Sequence, residues 1–203
     1  MMSHEDLDVS RETFDRLQIY VDLLGKWNAK INLVSKSTLK DVWTRHILDS
    51  AQLLKLAPDH SKTWADLGSG GGFPGLVIAI MAIETNSPKK VLLVESDQRK
   101  AAFLRTIIRE TDAPAEVLTD RIEDIAPLNA DVISARALAD LSTLLEFAER
   151  HMAKTGTALF LKGVQWEKEL LSAQSEWNFE YRVDNSLTEN GPVILGITGV
   201  SRV

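Results

Sequence analysis

The stretch TWADLGSGGGFPG, residues 63–75, predicts a buried strand, a glycine loop and a helix start within thirteen residues. Trp64, Ala65 and Leu67 supply the apolar strand, and Asp66 lies near its end. The glycines at positions 68, 70, 71, 72 and 75 can adopt positive φ and have no Cβ to block a ligand lying on the backbone. Pro74 suits the first turn of the following helix. The stretch therefore predicts a site for a nucleotide-like ligand.

The glycine spacing fits two classes of ligand. Positions 70, 72 and 75 satisfy the dinucleotide pattern G-x-G-x-x-G, whereas positions 66, 68, 70 and 72 satisfy the D-x-G-x-G-x-G pattern of S-adenosylmethionine enzymes. A glycine pattern alone is weak evidence, and a tight turn that binds nothing is the third possibility. The choice between them depends on the order of the elements that follow.

After residue 63, short apolar runs alternate with amphipathic stretches, which indicates a parallel sheet covered on both faces. The predicted strands are 63–66, 91–94, 116–119, 130–134 and 157–161, and the predicted helices are 74–83, 98–111, 138–152 and 165–175. Two strands, 179–183 and 193–199, then follow without a helix and predict an antiparallel hairpin at the sheet edge. A dinucleotide dehydrogenase would need further βα units. The pattern instead favours an α/β protein with a class I methyltransferase, Rossmann-like fold and a seven-stranded, mostly parallel sheet.

An N-terminal helical extension, residues 1–60, is predicted to precede the S-adenosylmethionine-binding domain, residues 61–203. Apolar residues recur at helical spacing after Ser10 and predict a long amphipathic helix. Ser35 or Ser37 can cap a second helix that extends to Leu54. Inside it, His46 and Asp49 lie three residues apart, a spacing that is often only a structural hydrogen bond.

Composition excludes several classes of function. The chain has 203 residues, a net charge of −6 and no cysteine, so disulfides, thiolate metal sites and a cysteine nucleophile are absent. We expect no metal site, because no third ligand accompanies His46 and Asp49 at suitable spacing. The acidic N-terminus lacks a signal-peptide core and the longest apolar run, residues 76–83, is too short to cross a bilayer. We therefore expect a cytoplasmic monomer that does not bind membranes.

Charge is segregated along the chain despite the acidic total. Residues 1–25 carry six acidic and two basic side chains, whereas residues 26–55 carry six basic side chains (Lys26, Lys30, Lys36, Lys40, Arg45 and Lys55) against Asp41 and Asp49. The basic segment can contact nucleic-acid phosphates. A solvated helical surface is the equally simple alternative.

In a doubly wound sheet, ligands lie beyond the carboxyl ends of the strands. Glu95, with Ser96, follows the second strand, where a carboxylate can accept both hydroxyl protons of a ribose. Ile122 follows the third strand and offers an apolar face to adenine. Arg136 follows the fourth, between two alanines, where a cofactor carboxylate or the substrate would lie. Lys162 follows the fifth strand and is a weaker candidate.

The motifs TWADLGSGGGFPG, LLVESDQRKAAFLR, DRIED and VISARALADL, preceded by WNAKINLVSKS and RHILDS, resemble the glucose-inhibited division protein B family of small-subunit rRNA guanine-7 methyltransferases. The resemblance covers residues 20–165. It implies S-adenosyl-L-methionine as cofactor and 16S rRNA, or the small ribosomal subunit, as partner. The cofactor residues are then expected to be Asp66, Gly68, Ser69, Gly70, Phe73, Glu95, Ser96, Ile122, Glu123 and Arg136.

The resemblance also places Asn28, Asn32, Arg45 and His46 in the family's helical N-terminal signature. With the basic segment, the RNA-binding candidates are Lys26, Lys30, Asn28, Asn32, Lys36, Arg45 and His46. The two asparagines can instead satisfy backbone groups. Many relatives end in a tail rich in lysine and arginine, whereas this sequence ends ITGVSRV. RNA contacts would therefore have to come from residues 26–55 and the surroundings of Arg136.

N7 of guanine carries a lone pair and no proton, so its methylation needs positioning and desolvation but no general base. Arg136 is accordingly expected to orient the cofactor or the RNA. The sequence SARA replaces the loop that is typical of exocyclic amino methylation. A small-molecule methyltransferase, a non-catalytic RNA-binding module and a nicotinamide-dependent oxidoreductase remain alternatives at this point.

Overall fold

The computed structural model describes residues 2–59 and 61–203. Seven strands form one sheet in the order β3-β2-β1-β4-β5-β7-β6. They are β1 (Thr63–Leu67), β2 (Lys90–Val94), β3 (Ala115–Leu118), β4 (Ala130–Arg136), β5 (Met152–Lys162), β6 (Trp177–Asn185) and β7 (Val193–Arg202). Strands β1 to β5 pair in parallel, while β7 lies antiparallel between β5 and β6. The predicted α/β sheet with its antiparallel terminal hairpin is confirmed.

Eight α-helices surround the sheet in the described part of the chain, namely α1 (His4–Leu7), α2 (Arg11–Asn28), α3 (Lys36–Leu39), α4 (Asp49–Ala51), α5 (Gly75–Thr85), α6 (Gln98–Thr111), α7 (Leu141–His151) and α8 (Trp166–Ala173). Helix α5 is almost entirely buried, because its apolar residues continue around the whole helix. Asp97 and Asp140 start α6 and α7 by accepting backbone N–H bonds of the first turn.

The N-terminal segment contains the predicted long helix after Ser10, as α2, but not the predicted regular second helix. Helix α2 ends at Asn28, whose side-chain oxygen accepts the N–H groups of Leu33 and Val34 at 2.9 and 3.0 Å. Ser35 caps only the four-residue α3. The chain resumes as a π-helical stretch, Trp43–Leu48, followed by α4 and a 3-10 turn, Gln52–Lys55. In this segment the Arg45 carbonyl, His46 and Asp49 contact Arg136 at the end of β4.

The core has one apolar cluster on each face of the sheet. The first joins α2, α5 and α6 to β1 and includes the fully buried Leu17, Tyr20, Leu24, Trp64 and Phe103. Burial of each such side chain stabilises the fold by roughly 1.5–3 kcal/mol. Because α2 shares this cluster with the sheet, the N-terminal helices pack as part of the same core. The division into two domains near residue 60 stays a prediction.

Within residues 2–59 and 61–203, no helix is both long enough and apolar enough to cross a membrane.

Candidate active site

The glycine loop after β1 is held from both sides. Ser69 donates its N–H to the Val94 carbonyl at 3.0 Å, and the Tyr20 hydroxyl donates to the Gly71 carbonyl at 2.6 Å. Gly72 has a φ of +94°, and a Cβ there would collide with Leu76 and Tyr20. Gly70 has a φ of +55°, and the nearest atom to a Cβ there is the Gly68 carbonyl oxygen at 3.8 Å. Gly72 is therefore needed for packing, whereas Gly70 exposes bare backbone to a ligand.

Asp66 lies beneath this loop, fully buried. One carboxyl oxygen accepts the Ser134 hydroxyl at 2.7 Å and the other accepts the Gly75 N–H at 3.2 Å. Ser134 in turn accepts the Trp64 indole N–H at 2.8 Å. The carboxyl group fixes the loop to the start of α5 and to β4. Asp66 lines neither cavity described below, so the geometry gives it a supporting position rather than a cofactor contact.

Burial raises the pKa of Asp66 from 3.8 to about 6, and the hydrogen bonds from Ser134, Ser69 and Gly75 oppose that rise. The folded protein therefore binds this proton more tightly than the unfolded chain does. As the pH rises from about 4 to about 6, this carboxyl group therefore lowers the free energy of unfolding by up to about 3 kcal/mol, since each pKa unit corresponds to about 1.36 kcal/mol. A side chain that cannot ionise at this position would cause no such loss.

We expect the unfolding free energy of the native protein to fall relative to that of Asp66→Asn across pH 4–6. The comparison cancels the titration of the other carboxyl groups. The Asp66→Asn variant would itself be less stable at low pH, because an amide cannot accept from both Ser134 and Gly75. Urea unfolding at several pH values measures the difference, and a pH-independent difference would contradict the expectation.

A cavity of about 460 Å³ lies at the carboxyl ends of β2 and β3, and we name it the Glu95 cavity. The Glu95 carboxylate accepts the N–H groups of Gly70 and Asp97, each at 2.8 Å, one on each oxygen. Each oxygen keeps further lone-pair capacity for a ligand hydroxyl. The predicted residues lining this cavity are Gly68, Gly70, Glu95, Ser96, Ile122 and Glu123. The largely buried Ile122 supplies its apolar surface.

A second cavity, of about 550 Å³, continues across the glycine loop, and we name it the Arg136 cavity. The two cavities share Gly68, Gly70, Lys100 and Ala137. The predicted residues lining this one are Gly68, Ser69, Gly70, Phe73, Arg136, Arg45, His46 and Lys162. Ala137 has a φ of +51°, a left-handed conformation that turns the chain sharply after β4. The two cavities therefore adjoin at the loop, and we name them together the trench.

Arg136 is the centre of a network on the wall of the Arg136 cavity. Its guanidinium donates to the Arg45 carbonyl at 3.2 Å, to the Asp49 carboxylate at 3.4 Å and to His46 Nδ1 at 2.7 Å. It also lies 5.0 Å from the centroid of Phe73. A guanidinium has five N–H donors, so two remain for a ligand.

His46 has a defined tautomer, because a guanidinium can only donate. Its Nδ1 accepts from Arg136, and Nε2 must then carry the proton that is shared with the Thr38 hydroxyl at 2.9 Å. Burial, with the nearby charges of Arg136 and Arg45, lowers the pKa of His46 to about 3. The imidazole is therefore neutral at physiological pH. It stacks on Phe73, with the two ring centroids 4.8 Å apart.

The remaining RNA candidates lie away from the trench. Lys26, Lys30, Asn32 and Lys36 are exposed and line neither cavity. The side-chain oxygen of Asn28 is used by the turn after α2. Lys162, by contrast, lines the Arg136 cavity, but it is largely buried in an ion pair with Glu169 at 2.6 Å and donates to the Ala139 carbonyl. Lys162 thus ties β5 to α8 and to the turn after β4.

Sequence reasoning missed four residues at the site: Tyr20, Asp49 as a partner of Arg136, Lys100 and Glu189. Tyr20 follows the helical spacing of the apolar face of α2, and Lys100 lies in the first turn of α6, shortly after Glu95, so both had a local signal. Asp49 begins α4 and Glu189 lies in the β6–β7 loop, and local patterns do not predict how these two parts of the chain pack at the trench.

The glycine loop between β1 and α5, the carboxylate at the end of β2 and the strand order define an S-adenosylmethionine-dependent methyltransferase of class I. Solved structures share this fold. An S-adenosylmethionine-dependent methyltransferase from Aquifex aeolicus superposes with a TM-score of 0.59 at 15% identity, over 89% of this chain and 97% of that one. TYW2 from M. jannaschii, solved in complex with AdoMet, gives 0.57 at 13% identity, over 86% and 80%.

The chain belongs to the rRNA small subunit methyltransferase G family, whose model matches residues 13–193. The ribosomal RNA small subunit methyltransferase G of Ruegeria pomeroyi is 57% identical over 97% of this chain and 96% of its own length. The protein of the same name from Paramagnetospirillum magneticum is 50% identical over 96% and 92%. The predicted family, enzyme class and cofactor are confirmed.

Proposed function

We propose that this protein transfers the methyl group of S-adenosylmethionine to N7 of a guanine in 16S rRNA. The observation that carries the proposal is the pair of adjoining cavities, with the Glu95 carboxylate in one and, in the other, a cationic wall on which the described residues offer no free general base. The family supports an rRNA substrate. The reaction would take place in the cytoplasm, on a monomeric enzyme.

The residues of the Glu95 cavity fit the adenosine half of the cofactor. Glu95 is held by two backbone N–H groups with its remaining lone pairs free, as a carboxylate that binds two ribose hydroxyls must be. Ile122 offers an apolar surface for adenine, with Ser96 and Glu123 beside it. The bare backbone at Gly70 lets the cofactor cross from this cavity into the other. When bound, the cofactor supplies an electrophilic methyl group.

The Arg136 cavity lacks a free general base among the described residues that line it. The lone pair of His46 Nδ1 is taken by Arg136, and Asp49 is bonded to Arg136. Glu189 is paired with Arg45 in the free protein and, when RNA displaces it, its exposed side chain turns into solvent. Methylation of a hydroxyl or an exocyclic amine releases a proton, whereas N7 of guanine already presents a lone pair. The wall therefore suits an acceptor that needs only orientation and exclusion of water.

Arg136 has two N–H donors left for the cofactor carboxylate or for the RNA. A cation pressed on the base would oppose the positive charge that develops on methylated guanine. The bonds of Arg136 to His46, Asp49 and the Arg45 carbonyl hold its guanidinium on the wall instead. We infer that Arg136 orients the substrates and takes no part in proton transfer.

The basic segment would hold the RNA beside the trench. Reversal of Lys26, Lys30, Lys36 and Lys40 to glutamate should lower kcat/KM for the small subunit or its rRNA by at least about a hundredfold, because several phosphate contacts are lost together. Binding of S-adenosylmethionine, measured by calorimetry, should not change. Reversal of four exposed lysines elsewhere, Lys89, Lys90, Lys154 and Lys168, gives the same net charge and is the control. Equal losses in both variants would contradict a localised contact.

The direct test maps 7-methylguanosine in 16S rRNA from cells with and without the protein, and repeats the methylation with purified components. Naked 16S rRNA and unmodified 30S subunits are supplied separately, which also identifies the physiological substrate. A methyltransferase for small molecules would leave rRNA modification unchanged. An RNA-binding module would bind rRNA without consuming S-adenosylmethionine.

A further inference from the structure

Arg45 and Glu189 form an ion pair at the Arg136 cavity, and both side chains line it. The pair is accessible, with 38% of the Arg45 side chain and 36% of the Glu189 side chain exposed. A carboxylate at this position is unexpected in a site that is to receive a polyanion. Arg45 belongs to the basic segment, whereas Glu189 comes from the β6–β7 loop.

The backbone of the β6–β7 loop is fixed over the helical stretch that carries Arg45. The Leu187 N–H donates to the Gln52 side-chain oxygen at 2.9 Å. The hydroxyls of Thr188 and Ser186 donate to the Asp49 carboxylate at 3.0 and 3.4 Å. Because the residues leading to the loop tip are anchored, Glu189 stays next to Arg45, while its own side chain can rotate into solvent.

We propose that Arg45 binds an RNA phosphate at the mouth of the Arg136 cavity and that Glu189 occupies the same guanidinium in the free protein. This inference rests on the proposed rRNA substrate. An exposed ion pair is weak, and a phosphate can bind a guanidinium through two hydrogen bonds. RNA therefore displaces the Glu189 side chain, and rotamer changes of this kind are common when interfaces form.

Glu189 reduces the affinity for every RNA that presents a phosphate to Arg45, because the carboxylate must first be displaced and then repels the phosphate. Only an RNA that makes further contacts in the trench compensates for this loss. Glu189 thus favours the complete substrate over RNA that binds by charge alone.

Glu189→Gln is expected to tighten binding of 16S rRNA about threefold to tenfold at about 0.1 M salt, measured by filter binding to both protein-free 16S rRNA and unmodified 30S subunits. Glu116→Gln is the matched control, because Glu116 also forms an exposed ion pair, 2.7 Å from Lys90, and lines neither cavity. Glu116→Gln should bind as the native protein does.

Arg45→Met separates this role from a general effect of charge, and it retains the backbone carbonyl that accepts from Arg136. Alone it should weaken binding and reduce the slope of log affinity against log salt by about 0.7–0.9. In the double variant, Glu189→Gln should give no gain. The inference is overturned if Glu189→Gln and Glu116→Gln behave alike, or if the gain persists without Arg45. If the native protein neither binds nor methylates either RNA, the proposed function fails instead.

Discussion

Arg136→Lys is expected to reduce methyl transfer to 16S rRNA at least about a hundredfold in kcat/KM, with the protein still folded. Lysine keeps the charge but presents a single ammonium on a flexible stem, whereas the guanidinium of Arg136 bonds Asp49, His46 and the Arg45 carbonyl at once. Loss of that fork releases the wall of the Arg136 cavity and the remaining donors that would hold a substrate. Misplacement by a single ångström can cost about a hundredfold in rate.

Arg109→Lys is the matched control, since Arg109 is exposed on α6 and pairs only with its neighbour Glu110 among the described residues. Single-turnover methylation of 30S subunits gives the rate, and thermal unfolding shows whether the variant is folded. S-adenosylmethionine affinity, measured separately, tells whether the remaining donors serve the cofactor or the RNA. Native rates together with native cofactor affinity would refute any orienting role for Arg136.

Glu95→Gln is expected to weaken S-adenosylmethionine binding roughly 10- to 100-fold, the range for loss of a charge-assisted hydrogen-bond pair. The amide can still accept from one backbone N–H, but its NH₂ group faces the other donor, either Gly70 or Asp97. It also offers a donor where the ribose needs an acceptor. The loss should appear in the KM for the cofactor and leave the KM for RNA unchanged.

Calorimetry with S-adenosylmethionine and with 5′-methylthioadenosine sharpens this test. The second ligand retains the ribose and adenine but lacks the amino-acid portion, so both ligands should lose affinity by the same factor. Glu110→Gln, a substitution of a surface carboxylate on α6, makes the same change in charge and should bind both ligands normally. A Glu95→Gln enzyme with native cofactor affinity would place the ribose elsewhere.

Much of the Glu95 cavity could be predicted from the sequence, because its parts lie on consecutive elements. The glycine loop, Glu95 and Ile122 each follow a strand, and parallel strands deliver their carboxyl ends to one edge of the sheet. Asp66 shows the limit of that reasoning. Asp66 also lies near the carboxyl end of a strand, where ligand contacts are expected. Its side chain nevertheless lies beneath the loop and accepts hydrogen bonds from Ser134 and Gly75. Sequence position alone does not give the side of the backbone on which a side chain lies.

The residues that line the Arg136 cavity were harder to predict from the sequence. Local spacing predicted a regular second helix, whereas the chain adopts a π-helical stretch followed by α4, and Arg45, His46 and Asp49 of these elements line the Arg136 cavity. Asn28 and Asn32 looked equivalent, but the helix ends at Asn28 and separates them. The roles of the basic segment and of the individual cofactor residues stay predictions until the variants above are measured.

The sequence by itself determined the order of strands and helices, the glycine loop and the family, because each depends on residues that are neighbours along the chain. Only the tertiary structure decided that Arg136 meets His46 ninety residues away, that Tyr20 supports the loop and that Glu189 pairs with Arg45. Backbone preferences depend on a few neighbouring residues, so the local sequence pattern predicts them. Contacts between distant side chains depend on how the packed elements lie against one another, and no local pattern records that.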